Sequence, residues 1–210
     1  PSYVHCTTDL DPTATIDVAG GAFTFVATTG GPNLSINGAT GIIDLDASDE
    51  GVYDITYTTV GACPQDSTVS FTVNFTPTVD AIVNQTVCDD ADFIAVTFTG
   101  TAGSVATTYN WTNDNTNIGL VGAGTGDIAA FTATNTTATQ TQGTIIVTPS
   151  SLTCTGTPTN FDYIVSPQDN SGFSYPTYSY CSSETDPTAN IDFNGGTFSF
   201  SAITGGPNLS

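Results

Sequence analysis

The chain has 210 residues with no Lys or Arg against 20 Asp and Glu, which gives a formal net charge of −20 at pH 7. Nucleic acids and anionic membrane surfaces are bound through basic side chains, so this composition argues against both as partners. A hydrophobic content of 38% argues against disorder, and many Thr, Val, Ile and aromatic residues with few strong helix formers predict an all-β protein.

Short strand signals separated by Gly, Asn and Pro turns run through the first part of the chain. Within Gly51 to Thr59, polar residues alternate with Tyr53, Ile55 and Tyr57, which is typical of a strand with one buried face. The predicted strands are Ala14 to Val18, Ala22 to Ala27, Leu34 to Ile36, Gly41 to Leu45, Gly51 to Thr59 and Thr68 to Phe75.

A second block of strand signals follows, from about Pro77 to Pro167. Six or seven strands in 80 to 90 residues are typical of an immunoglobulin-like sandwich, in which Trp111 would be a buried core residue rather than a sugar-stacking platform. The predicted strands are Ala81 to Val87, Ile94 to Thr99, Thr108 to Thr112, Ile128 to Ala133, Gly143 to Thr148 and Phe161 to Val165.

The beginning of the chain recurs at its end. Residues 1–35 align without a gap to residues 176–210, with 21 of 35 positions identical and a constant offset of 175. Such an offset indicates a tandem array. We therefore predict two unlike domains, 1–76 and 77–167, followed over 168–210 by a linker and the truncated start of a second copy of the first domain.

The five cysteines follow this organisation. Cys6 and Cys63 bracket the first block and Cys88 and Cys154 the second, which predicts one disulfide in each domain and an oxidising, extracytoplasmic compartment. Cys181 corresponds to Cys6, so truncation would leave it unpaired. The alternative of free or metal-binding thiols is not favoured, because the chain has no C-x-x-C pair.

Sequence motifs relate both blocks to a known group. The segment Asn37-Gly38-Ala39-Thr40-Gly41-Ile42-Ile43-Asp44-Leu45, followed by Val52-Tyr53-Asp54-Ile55-Thr56-Tyr57, resembles the Ig-like repeats of giant Bacteroidetes surface proteins. The second block, with Asn84 to Cys88, Thr108 to Asn113 and Cys154 to Pro158, resembles their PKD-like domains. The resemblance implies tandem Ig-like and PKD-like β-sandwiches in an elongated array. It also implies an adhesin of the gliding-motility type, exported by the type IX secretion route.

Candidate sites are few. No catalytic residue is predicted, since the single His5, the only base available for a nucleophilic Ser or Cys, corresponds to Tyr180 in the second copy. No cofactor is expected. A structural Ca²⁺ is the alternative, because calcium binds clustered carboxylates, although the stretch from Asp44 to Glu50 lacks the Gly that an EF-hand loop requires. The candidate calcium ligands are Asp9, Asp11, Asp89, Asp90 and Asp92.

Ser67 is a candidate O-glycosylation site, since Asp66-Ser67-Thr68 resembles the acceptor pattern of exported Bacteroidetes proteins. The sequence thus predicts a non-enzymatic structural and adhesive segment of an extracellular or cell-surface stalk or filament. The expected partners are neighbouring repeats, other chains of a filament, and a surface polysaccharide or a host or substratum ligand. Insertion into a membrane is not expected. A carbohydrate-binding module of a secreted enzyme and a subunit of a surface lattice are the alternatives.

Overall fold

The structure is a computed structural model that describes residues 2–169, 172–176, 185, 187–191 and 196–199. The chain divides into two compact units, Pro1–Ser166 and Pro167–Ser210. The described part of the second unit contains one strand pair, in which Phe173–Ser174 runs antiparallel to Asn190–Ile191. The first unit contains two β-sandwiches.

The first sandwich is built from six strands. They are β1 (Ser2–Cys6), β2 (Ala22–Gly30), β3 (Ser35–Ile36), β4 (Ile43–Asp44), β5 (Gly51–Thr58) and β6 (Asp66–Asn74). One sheet has the order β1-β6-β5-β2, in which β1 is parallel to β6 and the other neighbours are antiparallel. The β3–β4 pair covers its inner face and encloses a core of Leu34, Ile43, Leu45, Tyr53, Ile55, Phe71 and Val73.

The alternation along β5 explains how this core forms. Tyr53 and Ile55 are buried while Asp54 between them is exposed, so one face of the strand meets the core. The Tyr53 hydroxyl lies 2.8 Å from the carbonyl oxygen of Asp49 and 2.9 Å from that of Asn33. Burial is the main cause that raises the pKa of Tyr53, and the negative charge of the Asp49 carboxylate raises it further. A neutral tyrosine therefore fixes the turn before β5 to the core.

The second sandwich follows the same plan with a larger core. Its strands are β7 (Gln85–Cys88), β8 (Asp92–Phe93), β9 (Thr108–Asn113), β10 (Ala123–Thr125), β11 (Phe131–Thr132), β12 (Thr141–Ser151), β13 (Cys154–Thr155) and β14 (Thr159–Ser166). The larger sheet has the order β10-β9-β12-β14-β7, β13 pairs with β12, and β8 pairs with β11 in the facing sheet. A short 3-10 helix, Thr116–Ile118, is the one helical element among the described residues.

Strand order identifies both sandwiches as immunoglobulin-like. In each, the first strand runs parallel to the last, β1 to β6 and β7 to β14. The last strand pairs with the preceding long strand, β5 or β12, and that strand pairs with β2 or β9. Trp111 lies on β9 and is 6% exposed, at the place where immunoglobulin-like domains bury a tryptophan. Its indole Nε1 donates to the Gly126 carbonyl at 3.1 Å. The predicted all-β fold and the core position of Trp111 are confirmed.

Four predicted strands differ from the observed ones. Ile94 to Thr99 forms no strand and contributes only the isolated bridge between Val96 and Ile128, and Ile128 to Ala133 is a strand only at Phe131–Thr132. Residues 14–18 form no strand, and this segment lines an apolar cavity of about 510 Å³ under the first sheet instead. The predicted strand at Ala81 to Val87 begins only at Gln85, because Asp80 and the residues before it bond to the segment around Thr99. Ile16 and Ile82 are half-buried, but Val18 and Val83 are exposed, so the apolar residues of segments 14–18 and 81–87 predicted neither the backbone partners nor a continuous buried face.

The domain boundaries 1–76, 77–167 and 168–210 stay predictions, since residues 167–210 separate from the rest while both sandwiches lie in one unit. None of the helical segments in the described ranges is long and apolar enough to cross a membrane.

Tyr163 makes an unusual contribution to the second core. It is fully buried, and its hydroxyl has no hydrogen-bond partner within the described ranges of the chain. Burial raises the pKa of Tyr163 to about 12. A buried hydroxyl without a partner costs about 1–3 kcal/mol relative to an apolar group of the same shape.

We therefore expect Tyr163→Phe to stabilise the protein by about 1 kcal/mol at pH 7. Because the folded-state pKa lies above the unfolded value, the wild type should lose stability as the pH rises from about 10 to about 12, by up to about 3 kcal/mol. The variant should lack this contribution, so urea unfolding at pH 7 and at high pH tests both effects. A destabilised variant would show that the hydroxyl has a partner.

Candidate functional site at the joint between the sandwiches

The two sandwiches meet where β6 ends and the chain passes into the second domain. The Thr7 amide donates to the Asn74 carbonyl at 3.0 Å, and the Thr76 amide donates to the Thr7 hydroxyl at 3.0 Å. The Thr8 and Thr76 hydroxyls lie 3.0 Å apart. The segment after β1 therefore holds the connecting segment in place. We call the region formed by Cys6–Thr8, Glu50, Asn74–Pro77, Gly103–Ser104 and Thr153–Gly156 the joint.

A disulfide crosses the joint. Cys6, the last residue of β1, is bonded to Cys154 in β13, with their Cα atoms 5.7 Å apart. Cys154 is 1% exposed, and the Asn74 side-chain amide donates to the neighbouring Thr153 hydroxyl at 3.3 Å. The bridge joins two residues that are 148 positions apart in the sequence and belong to different sandwiches. The sandwiches are therefore linked twice, by the backbone and by the disulfide.

A carboxylate supports the joint on a second side. Glu50 precedes β5, and its two oxygens accept hydrogen bonds from the Ser104 amide at 2.7 Å and the Ser104 hydroxyl at 2.9 Å. A Cβ at Gly103 would lie 2.5 Å from the Glu50 carboxylate and 2.6 Å from the Phe75 Cβ, so only glycine permits this approach. Glu50, which the sequence places in the acidic stretch from Asp44, therefore acts as a hydrogen-bond acceptor between the two sandwiches.

Both predicted disulfide pairings are wrong. Cys63 and Cys88 are free and exposed, while Cys6 and Cys154 are bonded to each other. Cys6 lies opposite Asn74 at the end of β6, whereas Cys63 lies in the connection before β6 begins. The ends of this strand are about 26 Å apart, and a disulfide requires Cα atoms within about 7 Å.

The same argument applies to the second domain. Cys88 lies opposite Ser166 at the end of β14, and Cys154 lies before β14 begins. Each predicted pair brackets its domain in sequence but lies at opposite ends of it in space. This placement could have been inferred from the first and last strands of an immunoglobulin-like sandwich being parallel. Cys181 lies outside the described residues.

The acidic candidates in the first domain serve as hydrogen-bond acceptors. A carboxylate oxygen of Asp9 accepts from the Cys6 amide at 2.7 Å, which closes the turn after β1. Asp11 accepts from the Leu45 amide at 3.0 Å. These contacts tie the segment after the bridged cysteine to its own sandwich.

The candidates in the second domain also follow the first strand of their sandwich, β7. Asp89 accepts from the Asn135 amide at 2.7 Å, and Asp92 accepts from the Thr132 hydroxyl at 2.7 Å. Asp90 adopts a positive φ of 63°, a left-handed conformation that Asp tolerates in turns. Among the described residues, no group of three or more His, Cys, Asp or Glu side chains could hold a metal ion. Calcium binding stays a prediction, which melting with and without a chelator would test.

The remaining candidates lie in the first sandwich. The His5 ring stacks on Phe71 with centroids 5.0 Å apart, and its Nδ1 is 3.8 Å from an Asp9 carboxylate oxygen. Ser67 is exposed on β6, so its side chain is accessible to a glycosylating enzyme. Glycosylation of Ser67 stays a prediction.

Comparisons with known proteins yield only distant structural likeness. No protein-family model matches the chain, and no curated protein matches it. A crystal structure of Dpr11 IG1 bound to DIP-gamma IG+IG2 is 11% identical with a TM-score of 0.41, covering 79% of this chain and 94% of that one. The N-terminal four Ig domains of Dscam1 isoform 7.44 are 12% identical with a TM-score of 0.42, covering 80% and 43%.

Mouse Cadherin-23 EC22-24 is similar at the same level, with 12% identity, a TM-score of 0.36 and coverage of 83% of this chain and 65% of that one. The chain thus spans less than half of the Dscam1 structure and about two thirds of the cadherin structure. Likeness at these TM-scores carries no argument about function. The fold assignment rests instead on the strand order.

Proposed function

We propose that the chain is a structural and adhesive repeat segment of an extracellular stalk or filament, without catalytic activity. The observation that carries the proposal is the disulfide-bridged joint, in which Cys6 and Cys154 link two successive sandwiches. A segment that transmits force or holds a binding end away from a surface requires successive domains to keep a fixed connection. A structural disulfide also favours an oxidising compartment, which supports placement outside the cytoplasm.

The sequence resemblance supplies the finer part of the proposal. It relates the chain to adhesins of the gliding-motility type that Bacteroidetes export by the type IX route. On this basis the partners are neighbouring repeats of the same chain, other chains of a filament, and a surface polysaccharide or a host or substratum ligand. The net charge of −20 would keep such a segment soluble and discourage contact with nucleic acid.

The alternative of a carbohydrate-binding module requires aromatic side chains exposed together on one sheet. Among the described residues of the first unit, Tyr3 is the exposed aromatic residue, at 46% exposure. The others are buried or half-buried, as in the cluster of Phe93, Phe131, Phe161 and Tyr163. Within the first unit the side-chain arrangement therefore favours the structural proposal. In the described part of the second unit, Phe173 and Phe198 are exposed with their ring centroids 5.4 Å apart, which is the feature that the alternative requires.

The proposal predicts that an antibody raised against residues 1–166 labels intact cells that produce the full-length protein. Immunogold electron microscopy should place the label beyond the outer envelope, and cells lacking the gene should attach less to the surfaces that the parent strain colonises. An antibody to a cytoplasmic protein, which should label only lysed cells, is the control. Labelling of the stalk only after lysis would contradict the placement, and unchanged attachment would contradict adhesion.

A further inference from the structure

Cys6 and the free Cys88 occupy the same position in the two sandwiches. Each is the last residue of the first strand, β1 or β7, and each lies opposite the last residue of the final strand, Asn74 or Ser166. The turns that follow them also match. The Asp9 amide donates to the Cys6 carbonyl at 2.9 Å, and the amide three residues after Cys88 donates to the Cys88 carbonyl at 3.1 Å.

Cys154 and the free Cys63 also correspond. Cys63 lies in the connection between the last two long strands of its sandwich, β5 and β6. Cys154 lies in the connection between β12 and β14, the last two long strands of the second sandwich. The observed bridge therefore joins the cysteine at the end of the first strand of one sandwich to the cysteine in the last connection of the next sandwich.

The two free cysteines lie away from the joint. Cys63 precedes β6, whose far end leads into the joint, and Cys88 lies level with Ser166, where the first unit ends. Both cysteines are exposed. They are therefore accessible to the domains that precede and follow this pair in an array.

The spacing of the repeat agrees with this placement. With an offset of 175 residues, the next copy of Cys63 falls about 150 positions after Cys88. The observed bridge joins cysteines 148 positions apart. These two separations would be nearly equal if the same pair of cysteine positions were bonded at each joint of the array.

We infer that each joint of the array is closed by a disulfide of this kind. Cys88 is bonded to the copy of Cys63 in the following domain, and Cys63 is bonded to the counterpart of Cys88 in the preceding domain. This inference rests on the tandem repeat and the observed bridge, and not on an adhesive role. It makes the array a continuous series of cross-linked joints rather than separate linked pairs.

Each bridge forms by two thiol–disulfide exchanges with a disulfide oxidant of the export compartment. One cysteine thiolate attacks the oxidant and displaces one of its thiols, giving a mixed disulfide. The second cysteine thiolate then displaces the remaining oxidant thiol. Two protein thiols are oxidised and one oxidant disulfide is reduced to two thiols, so the atoms and electrons balance.

The test uses the chain of 210 residues lengthened by its own residues 36–76, which completes the second copy of the first domain. Cys63→Ala in the first copy leaves the appended copy of Cys63 as the one cysteine of that kind, so its peptide is identified without ambiguity. After oxidative folding and alkylation of free thiols, digestion at Asp under non-reducing conditions and mass spectrometry identify the linked peptides. Trypsin is unsuitable because the chain has no Lys or Arg.

We expect one linkage between Cys6 and Cys154 and one between Cys88 and the appended copy of Cys63, with Cys181 alkylated. Replacing the appended cysteine by Ala should restore alkylation of Cys88 and leave the Cys6–Cys154 linkage intact. Linkage of Cys181 to the appended cysteine, or full alkylation of Cys88 in a folded chain, would overturn the inference. Circular dichroism of the same sample shows whether the chain is folded, and cell-surface labelling tests the proposed function separately.

Discussion

Pulling the oxidised chain by its two ends should release about 500 Å less contour length than pulling the reduced chain, since an extended residue spans about 3.3–3.6 Å. The reason is the Cys6–Cys154 bridge, which closes a loop between residues 148 positions apart. Force applied to β1 passes through the two sulfur atoms to Cys154 and from there to β14. Unfolding of the residues inside the loop cannot move the two chain ends further apart, because the disulfide carries the force past them.

Single-molecule force spectroscopy with handles at both chain ends measures this difference. A Cys6→Ala variant should extend like the reduced wild type with or without reductant, because its loop is open. The Cys63→Ala/Cys88→Ala variant is the matched control, since it removes two cysteines and leaves the bridge, and it should extend like the oxidised wild type. Equal contour lengths for the oxidised and reduced wild type would contradict the bridge.

The second large effect concerns equilibrium stability. Removing the bridge in a Cys6→Ala/Cys154→Ala variant should lower the free energy of unfolding by about 5 kcal/mol in the chain-entropy model, because the loop that the bridge closes is long. The separation of 148 residues places this disulfide near the upper end of the effect. The variant's unfolded chain is freed from a constraint that the wild-type chain keeps after unfolding.

Urea unfolding under non-reducing conditions measures this loss. The fluorescence of Trp111, the single tryptophan, reports on the second sandwich, while circular dichroism reports on both. The Cys63→Ala/Cys88→Ala variant should match the wild type, because neither Cys63 nor Cys88 is bonded in this chain and the bridge is kept. A midpoint that is unchanged in the Cys6→Ala/Cys154→Ala variant would show that the bridge does not constrain the unfolded chain.

Local sequence signals were sufficient for much of the fold. The alternation around Tyr53 predicted β5, which the structure places at Gly51–Thr58, and the position of Trp111 predicted that its side chain is buried in the core. Both signals concern residues that contact their own sandwich. Each signal depends on which side chains of a strand are buried, and these alternate with a period of two residues.

The joint could not be predicted in this way. The Glu50–Ser104 contact connects residues 54 positions apart in different sandwiches, and neither residue carries a pattern that indicates a partner. The cysteine pairs were predicted from their order along the chain, which does not show which end of a sandwich each one occupies. The parallel pairing of β1 with β6 settles that question by placing Cys6 beside the following domain.

The Cys6–Cys154 bridge also determines what a broken backbone would do. If a protease cut one peptide bond anywhere between these two cysteines, the residues before Cys6 would stay covalently joined to those after Cys154. The exposed loops of both sandwiches lie within this interval, including the turn at Gly61 and the segment around Gly122. A single nick in such a loop would leave the polypeptide unsevered, so the bridge gives the chain a second, redundant connection past these exposed loops.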